Sequence, residues 1–339
     1  MKYILQQCCI FTIVLLFGCS APTELPDNAP EHHRSDGTFV NTNNQAIDKP
    51  LSALIKWQRE SPDVTPITLP AAYPQLELLY NPNAAQITWI GHSTFLLQVN
   101  GLNILTDPIF SDRASPISFA GPKRSTPPAL TIEQLPSIDI VLISHNHYDH
   151  LDKRTIKALH RNQPDKPISY FVPLGQKAWF DKLGIAQVTE LDWWDNAQIN
   201  NITIHAVPVQ HWSSRTPFDR NTVLWAGFVI DAPQLSTLFV GDSGYSDDFK
   251  TIAQRLGGVD LALVPIGAYD PRWFMKSAHM DPEEALQVVQ DVGATRAIGM
   301  HWGTFALTDE PMEEPGARAD ATGVIETPAP GQTIILSGG

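Results

Sequence analysis

The chain has 339 residues, 43% hydrophobic and 17% charged, which is enough apolar material to fold one large domain or two small ones. Its formal net charge is -13, with 36 acidic against 23 basic residues, so binding to nucleic-acid phosphates is disfavoured. A small or neutral substrate is not excluded, because a metal site can oppose the overall field locally.

The first 19 residues have the pattern of a bacterial targeting signal. Lys2 precedes an apolar run over residues 8–17, which is shorter than the ~20 apolar residues that a membrane-spanning helix needs. The segment Leu16-Phe17-Gly18-Cys19 resembles a lipobox, which implies that Cys19 is lipidated and becomes the first mature residue. An ordinary signal peptide or an uncleaved anchor is the alternative. By the same resemblance, Ser20 predicts a lipid anchor in the outer membrane, facing the periplasm.

All three cysteines lie in this leading segment, so any metal bound by the remaining chain must be held by nitrogen and oxygen.

Residues 20–50 are rich in Pro, Asn, Asp and Ser and predict a flexible tether. We expect His32 and His33 to be a solvated pair within that tether, with a metal role as the alternative. Residues 51–339 then form the folded domain.

From residue 86 the pattern becomes strongly β, and Asn100-Gly101 is a type I′ hairpin signal. Alternation and apolar runs predict strands over residues 87–90, 94–99, 102–106, 138–144, 169–172, 188–191, 202–208, 223–231, 236–240, 261–265, 297–300 and 333–337. Helical spacing predicts helices over residues 153–160, 176–183, 247–256 and 282–292. The last helix has Asp281 as N-cap and Pro282 at its first position. This order favours an α/β (α+β) sandwich of two sheets flanked by helices.

Residues 144–152, with the sequence SHNHYDHLD, form the most informative segment of the chain. They follow a predicted buried strand and precede a predicted helix, where α/β folds place ligand groups. His145 and His147 are two apart, so in an extended segment both rings can face one metal. Asp149 and His150 lie beyond the turn and can face a second. Neutral imidazole and carboxylate suit Zn²⁺, and iron or manganese accept the same ligands.

Three further candidate ligands each come directly after an apolar strand: His211, Asp242 and His301. Strand ends converge at one edge of a sheet, so we expect these side chains to meet the first group. Two Zn²⁺ ions bring four positive charges, and Asp149, Asp242 and a hydroxide return three. The remaining positive charge attracts a phosphate or a developing oxyanion.

The pattern H-x-H-x-D-H at residues 145–150 resembles the signature of the metallo-β-lactamase superfamily, which implies a four-layer αββα sandwich. In that family two metals are bound by seven side chains, one of them a bridging aspartate. Carried over to this chain, the ligands are His145, His147 and His211 for the first metal, Asp149, His150 and His301 for the second, and Asp242 for both.

Longer motifs are similar to one branch of the superfamily, N-acylphosphatidylethanolamine-hydrolysing phospholipase D and its bacterial relatives. They include WIGHSTFL at residues 89–96, TDPIFSDR at 106–113, PRWFMK at 271–276 and HWGTFAL at 301–307. The resemblance implies cleavage of an N-acylated phosphatidylethanolamine to phosphatidic acid and an N-acylethanolamine, through attack of a metal-bridging hydroxide on phosphorus.

The resemblance also implies the roles of individual side chains. Asp149 and Asp242 would be catalytic through the metals, Tyr148 would contact the substrate, and His279 would lie near the phosphate or the leaving group. Animal members have a glutamine directly before that histidine, where this chain has Ala278, so one hydrogen-bonding group is missing from the head-group site.

Three other functions stay open. The same dinuclear site would also hydrolyse a lactone, such as an acyl-homoserine lactone, or another ester. Hydrolysis of a β-lactam is the second alternative, and a non-catalytic surface lipoprotein is the third. The expected partners are a phospholipid or other small acylated substrate and, through the lipid anchor, a membrane; nucleic acid is not expected, and the sequence does not give the oligomeric state.

Several other residues have two readings. His92 is expected to make a structural hydrogen bond, and Asp107 either supports a metal-binding histidine or stabilises a turn. Trp193-Trp194 and residues 273–275 form either a lipid-facing patch or core. Lys123-Arg124 is expected in a solvated loop.

Overall fold

Two seven-stranded mixed sheets pack face to face in a computed structural model of the chain, which describes residues 28–45 and 47–336. The predicted signal segment 1–19 and the lipidation site Cys19 lie outside the described residues. The first sheet consists of β1 (Gln86–Gly91), β2 (Thr94–Val99), β3 (Leu102–Thr106), β4 (Ile140–Leu142), β5 (Ser169–Pro173), β6 (Val188–Leu191) and β14 (Thr333–Ile335). The second consists of β7 (Asn196–Ile199), β8 (Ile202–Val207), β9 (Gly227–Ala232), β10 (Leu235–Phe239), β11 (Leu261–Pro265), β12 (Arg296–Met300) and β13 (Ile325–Glu326).

The two sheets have the same internal plan. The first has the order β14-β1-β2-β3-β4-β5-β6, antiparallel as far as β3 and parallel from there to β6. The second has the order β7-β8-β9-β10-β11-β12-β13, antiparallel as far as β10 and parallel beyond it. Each sheet therefore derives from one half of the chain, except that β14 returns to the first.

Helices cover the outer faces of the sheets, so the predicted four-layer sandwich is confirmed. The helices are α1 (Leu51–Glu60), α2 (Leu76–Tyr80), α3 (Lys153–Asn162), α4 (Lys177–Asp181), α5 (Asp248–Leu256), α6 (Arg272–Met275), α7 (Pro282–Asp291) and α8 (Glu314–Ala321). In β2 and β4, Leu97 and Leu142 pack toward the second sheet, while Leu96 and Val141 pack on the side of α3. Burial of both faces explains the continuous apolar runs that the sequence shows there.

Two local predictions are confirmed in detail. Asn100 and Gly101 both have positive φ, 52° and 75°, as a type I′ turn requires. The side chain of Asp281 accepts a hydrogen bond from the backbone N–H of Glu284 at 2.9 Å, so it is the N-cap of α7. The helices α1, α2, α6 and α8 and the short strands β7 and β13 were not predicted, and β9 begins at Gly227 rather than at residue 223.

The prediction of a flexible tether over residues 20–50 is wrong for residues 28–45, which we call the N-terminal arm. Phe39 N donates to Asn221 O at 2.8 Å, and the Phe39 ring packs against the core. His32 is buried and hydrogen-bonded to Asp192 rather than solvated. The arm is held mainly by polar side chains, so it has no apolar periodicity that would reveal its packing.

Candidate metal centre

The candidate ligands lie in loops at the carboxyl ends of strands that run in the same direction within each sheet. The segment 144–152 follows β4, and His211, Asp242 and His301 follow β8, β10 and β12. The turn before Asp242 is made by Gly241, with φ 67°, where a Cβ atom would lie 2.5 Å from the Cβ of Ser144. Only glycine lets the loops of the two sheets approach so closely.

Three histidines converge in a first group. The Nε2 atom of His145 lies 2.8 Å from Nδ1 of His147, and Nε2 of His211 lies 3.3 Å from the same Nδ1. His145 and His211 are buried. Burial lowers the pKa of His147 to about 4 and of His211 to about 3, so these nitrogens offer lone pairs rather than protons.

A second group consists of Asp149, His150 and His301. His92, which the sequence did not assign to this group, lies beside it. The Asp149 Oδ2 atom lies 3.3 Å from Nε2 of His150, 3.3 Å from Nε2 of His301 and 3.0 Å from Nε2 of His92. His92 thus makes a hydrogen bond, as expected, but its partner is a candidate ligand. Its position after an apolar strand was the signal that could have placed it here.

Asp242 lies between the two groups. Its Oδ2 atom is 3.1 Å from His301 Nε2 and 3.2 Å from His150 Nε2, and 3.9 Å from the Nε2 atoms of both His145 and His211. Burial would raise the pKa of this carboxyl, but His150 and His301 hold it well below its usual range. The arrangement is that of a carboxylate able to bridge two cations.

The side chains fit bound metal ions by their chemistry. Asp242 Oδ1 is buried and has no hydrogen-bond partner among the described residues, and the buried His150 Nε2 lies near two carboxylate oxygens without hydrogen-bond geometry to either. A buried polar atom left in this way is costly, and a cation ligated by these atoms would satisfy them. Imidazole nitrogen and carboxylate oxygen are the donors that Zn²⁺ prefers when thiolates are lacking.

A fully buried carboxylate supports the ligands from behind. Asp107 Oδ2 lies 2.6 Å from Nδ1 of His150 and accepts a hydrogen bond from Ser144 Oγ at 2.5 Å. Its Oδ1 accepts from Ser144 N at 2.7 Å. Asp107 therefore combines the two roles that the sequence offered as alternatives. It orients a candidate metal-binding histidine, and it fixes the turn at Ser144, where the segment 144–152 begins.

His279 and Tyr148 occupy different positions at the site. His279 lies among the clustered histidines, with Nδ1 3.9 Å from Asp242 Oδ2. Tyr148 points to the side, where its hydroxyl donates to Arg215 O at 2.9 Å. The Arg215 guanidinium lies over the Tyr148 ring at 4.0 Å, and it donates to the carbonyls of Asn146 and Leu151. Arg215 was missed by the sequence reasoning.

A cleft of about 420 Å³ opens above the candidate ligands, with His147, Asp149, Asp242, His279 and His301 at its polar end. The other walls are mainly apolar and include Leu54, Trp57, Phe274, Met275 and Leu307. The unpredicted helix α1 supplies Leu54 and Trp57. Trp57 is fixed by a 3.0 Å hydrogen bond from Nε1 to Asp309 Oδ1 and by stacking on Phe274.

The remaining aromatic and basic candidates divide between core and surface. Trp193 is buried in the core, while Trp273 is exposed beside α1, with Lys56 Nζ over its ring. Arg124 was expected in a solvated loop, but it is largely buried and donates to the carbonyls of Ile109 and Ser111. Burial lowers the pKa of Arg124 to about 10.

Comparisons with known proteins identify the fold and the family of the chain. Residues 102–302 match the family model of the beta-lactamase superfamily domain. The chain is 42% identical over 259 residues to N-acyl-phosphatidylethanolamine-hydrolyzing phospholipase D 1 of Caenorhabditis elegans, covering 73% of this chain and 72% of that protein. It is 41% identical over 235 residues to the mitochondrial N-acyl-phosphatidylethanolamine-hydrolyzing phospholipase D of Saccharomyces cerevisiae, covering 67% and 49%. A possible metal-dependent hydrolase from Veillonella parvula shares the fold, with a TM-score of 0.62, 19% identity and coverage of 75% and 100%.

Proposed function

Since the chain is a metal-dependent hydrolase of the metallo-β-lactamase superfamily, in the branch of N-acylphosphatidylethanolamine-hydrolysing phospholipase D and its relatives, we propose that it is a phosphodiesterase of the phospholipase D type. Its substrate is an N-acylphosphatidylethanolamine-like lipid, and its products are phosphatidic acid and an N-acylethanolamine. The observation that carries the proposal is the cleft, in which a polar end made of candidate ligands adjoins apolar walls. A phosphodiester flanked by acyl chains requires that combination.

The candidate ligands would hold two metal ions. The first would be held by His145, His147 and His211, and the second by Asp149, His150 and His301. Asp242 would be shared by both ions. We propose Zn²⁺, although iron and manganese accept the same donors. When bound, such ions polarise phosphoryl oxygens and lower the pKa of water toward ~7.

The protein's own groups position the lipid and assist the leaving group. The Nδ1 atom of His279 is buried, faces the cluster and has no hydrogen-bond partner among the described residues. It is available to hydrogen-bond the phosphate or the departing ethanolamine oxygen. The apolar side chains of Trp57, Phe274 and Leu307 exclude water from the acyl chain.

Head-group recognition at position 278 differs from that of animal relatives. Ala278 offers no polar side chain, and its carbonyl oxygen lies 3.0 Å from Nδ1 of His211. The residue therefore orients a candidate ligand through its backbone. We propose that the head group is selected by the cleft walls rather than by an amide at this position.

We also propose that the chain is anchored to the outer membrane through a lipid on Cys19, facing the periplasm. The motif at residues 16–19 supports this location. Among the described residues, no helix is both long and apolar enough to cross a bilayer. Nucleic acid is not expected among its partners, because the chain is acidic.

The test is product analysis with the detergent-solubilised full chain. We expect N-acylphosphatidylethanolamine in mixed micelles to give N-acylethanolamine and phosphatidic acid by mass spectrometry. D242N should lose most of this activity, whereas H160A, which changes an exposed histidine at the end of α3, should keep it. An acyl-homoserine lactone and a chromogenic β-lactam complete the panel. Turnover of the lactone alone, or no turnover at all, would contradict the proposal.

A further inference from the structure

A separate, third group of side chains that could bind a metal lies where the N-terminal arm meets the segment between β6 and β7. It consists of His32, His33 and Asp192, and these three residues do not line the catalytic cleft. The proposed lipid hydrolysis makes no use of them. The group joins two stretches of chain that are 160 residues apart.

Both rings face one carboxylate. His32 Nε2 lies 2.6 Å from Asp192 Oδ1, and His33 Nε2 lies 2.8 Å from Asp192 Oδ2. Neighbouring side chains in an extended segment point to opposite sides. Here a turn, closed by a 2.9 Å hydrogen bond from His33 N to Pro30 O, brings the two imidazoles to the same side with ring centroids 4.6 Å apart.

The surroundings hold these side chains in place. The His32 ring lies 4.3 Å from the ring of Trp193, and Trp193 N donates to Asp192 Oδ1 at 2.8 Å. The His32 side chain is 9% exposed and that of Asp192 is 16% exposed, while His33 is 23% exposed and leaves one side open to solvent. Two nitrogens, a carboxylate and an open side are the parts of a zinc site with one water-accessible position.

The spacing of the ligand atoms also fits. With bonds of ~2.0 Å, a tetrahedral Zn²⁺ site separates its ligand atoms by roughly 3.3 Å. In the first group of candidate ligands, His147 Nδ1 lies 2.8 and 3.3 Å from the nitrogens of His145 and His211. In this group the two imidazole nitrogens lie 2.6 and 2.8 Å from different oxygens of the Asp192 carboxylate. One ligand atom from each of the three residues lies within 4.8 Å of the others, so small outward movements of the side chains make room for the ion.

We propose that His32, His33 and Asp192 bind a third divalent transition-metal ion, which fastens the N-terminal arm to the domain. The arm also carries Asn41, whose side-chain amide bonds the backbone of His211. The ion thus stabilises a segment that supports the candidate metal centre through Asn41. The competing explanation is a His–Asp–His hydrogen-bond group that holds the arm without metal.

Metal content separates the two explanations. The full chain in detergent is loaded with ZnCl₂, dialysed, and measured by plasma mass spectrometry beside H33Q, H32A/H33A and H160A. We expect the wild type and H160A to hold one more zinc per chain than the other two variants. Equal zinc content in all four proteins overturns the proposal, whether or not the lipid is hydrolysed.

Hydrogen exchange gives a second readout, which H33Q keeps informative if H32A/H33A does not fold. Zinc should slow amide exchange in residues 28–45 by ~10-fold or more in the wild type, because an ion that binds only the docked arm favours docking. H33Q should lose that response and retain zinc-dependent protection around His145 and His211. Zinc-dependent arm protection that is the same in H33Q refutes the third site.

Discussion

Asn41 holds His211 through both of its backbone groups, because Asn41 Nδ2 donates to His211 O at 3.1 Å and His211 N donates to Asn41 Oδ1 at 3.1 Å. Asn41 is buried, although it belongs to the arm that the composition assigned to a tether. The arm is thereby part of the support of the candidate metal centre.

The first prediction concerns this contact. N41A leaves two buried backbone groups of His211 without their partner, which costs ~1–3 kcal/mol for each unsatisfied group. We expect lower thermal stability and weaker metal binding at the first group. Differential scanning fluorimetry with and without zinc measures both. Q45A, which changes an exposed side chain of the same arm, serves as control, and a variant N41A with unchanged zinc response would separate the arm from the centre.

The second prediction tests the support behind His150. D107N keeps the shape of the side chain but removes the charge that orients the His150 ring at 2.6 Å. Outer partners of metal-binding histidines are typically worth ~10–100-fold in metal affinity or activity. We expect a loss in that range from chelator competition titrations. D112N, on an exposed side chain nearby, should behave as the wild type; if both variants do, Asp107 has only a role in the turn.

The third prediction tests the wall of the cleft. W57A removes an aromatic side chain that packs on Phe274. We expect KM for a long-chain lipid to rise ~10-fold, since burying a large apolar side chain is worth ~1.5–3 kcal/mol. The kcat for a short, water-soluble phosphodiester should change little. S52A, on the exposed part of α1, is the control. An equal loss on both substrates would show that Trp57 acts on stability instead.

The fourth prediction concerns Arg215. Its Nη1 atom donates to Asn146 O at 2.7 Å and to Leu151 O at 2.8 Å. One guanidinium therefore holds both sides of the segment 144–152, which carries four of the candidate ligands. R215K cannot keep this geometry and also stack on Tyr148. We expect kcat/KM to fall ~10-fold or more, in line with misplaced ligands. R154K, an exposed change on α3, controls for charge. Full activity in R215K would make the contact dispensable.

The fifth prediction is removal of metal. Dialysis against a chelator should abolish hydrolysis and lower the melting temperature, because an ion present at ~1,000 times its Kd stabilises the folded state by ~4 kcal/mol. Zinc, manganese or ferrous iron should restore both. In D242N the chelator should have a much smaller effect on melting. Activity that survives exhaustive chelation would exclude the proposed chemistry.

The sequence predicted those parts of the site that follow apolar strands. His145, His147 and His150 stand in one compact motif, and Asp242 and His301 each come after a short apolar run that predicts a buried strand. These predictions needed no tertiary information, because strand ends converge by the geometry of the sheet.

The missed parts share a different physical basis. Asn41 and Arg215 act through hydrogen bonds to backbone atoms far away in the chain, and no periodicity marks such contacts. Helix α1 has no fully buried residue and packs against the domain through only one side, so its apolar pattern in the sequence is weak. His92 is a single histidine, and the apolar strand β1 before it was its one sequence signal; its contact with Asp149 is visible only in the structure.

The shared plan of the two sheets has a consequence for assembly. His145 and His147 come from the first half of the chain and His211 from the second, while Asp149 and His150 likewise need His301. Neither half carries a complete set of donors by itself. A metal ion bound at either group of candidate ligands would therefore report that the two halves have docked correctly. A substitution at the interface of the two halves, far from the ligands, would be detected first as a loss of bound metal.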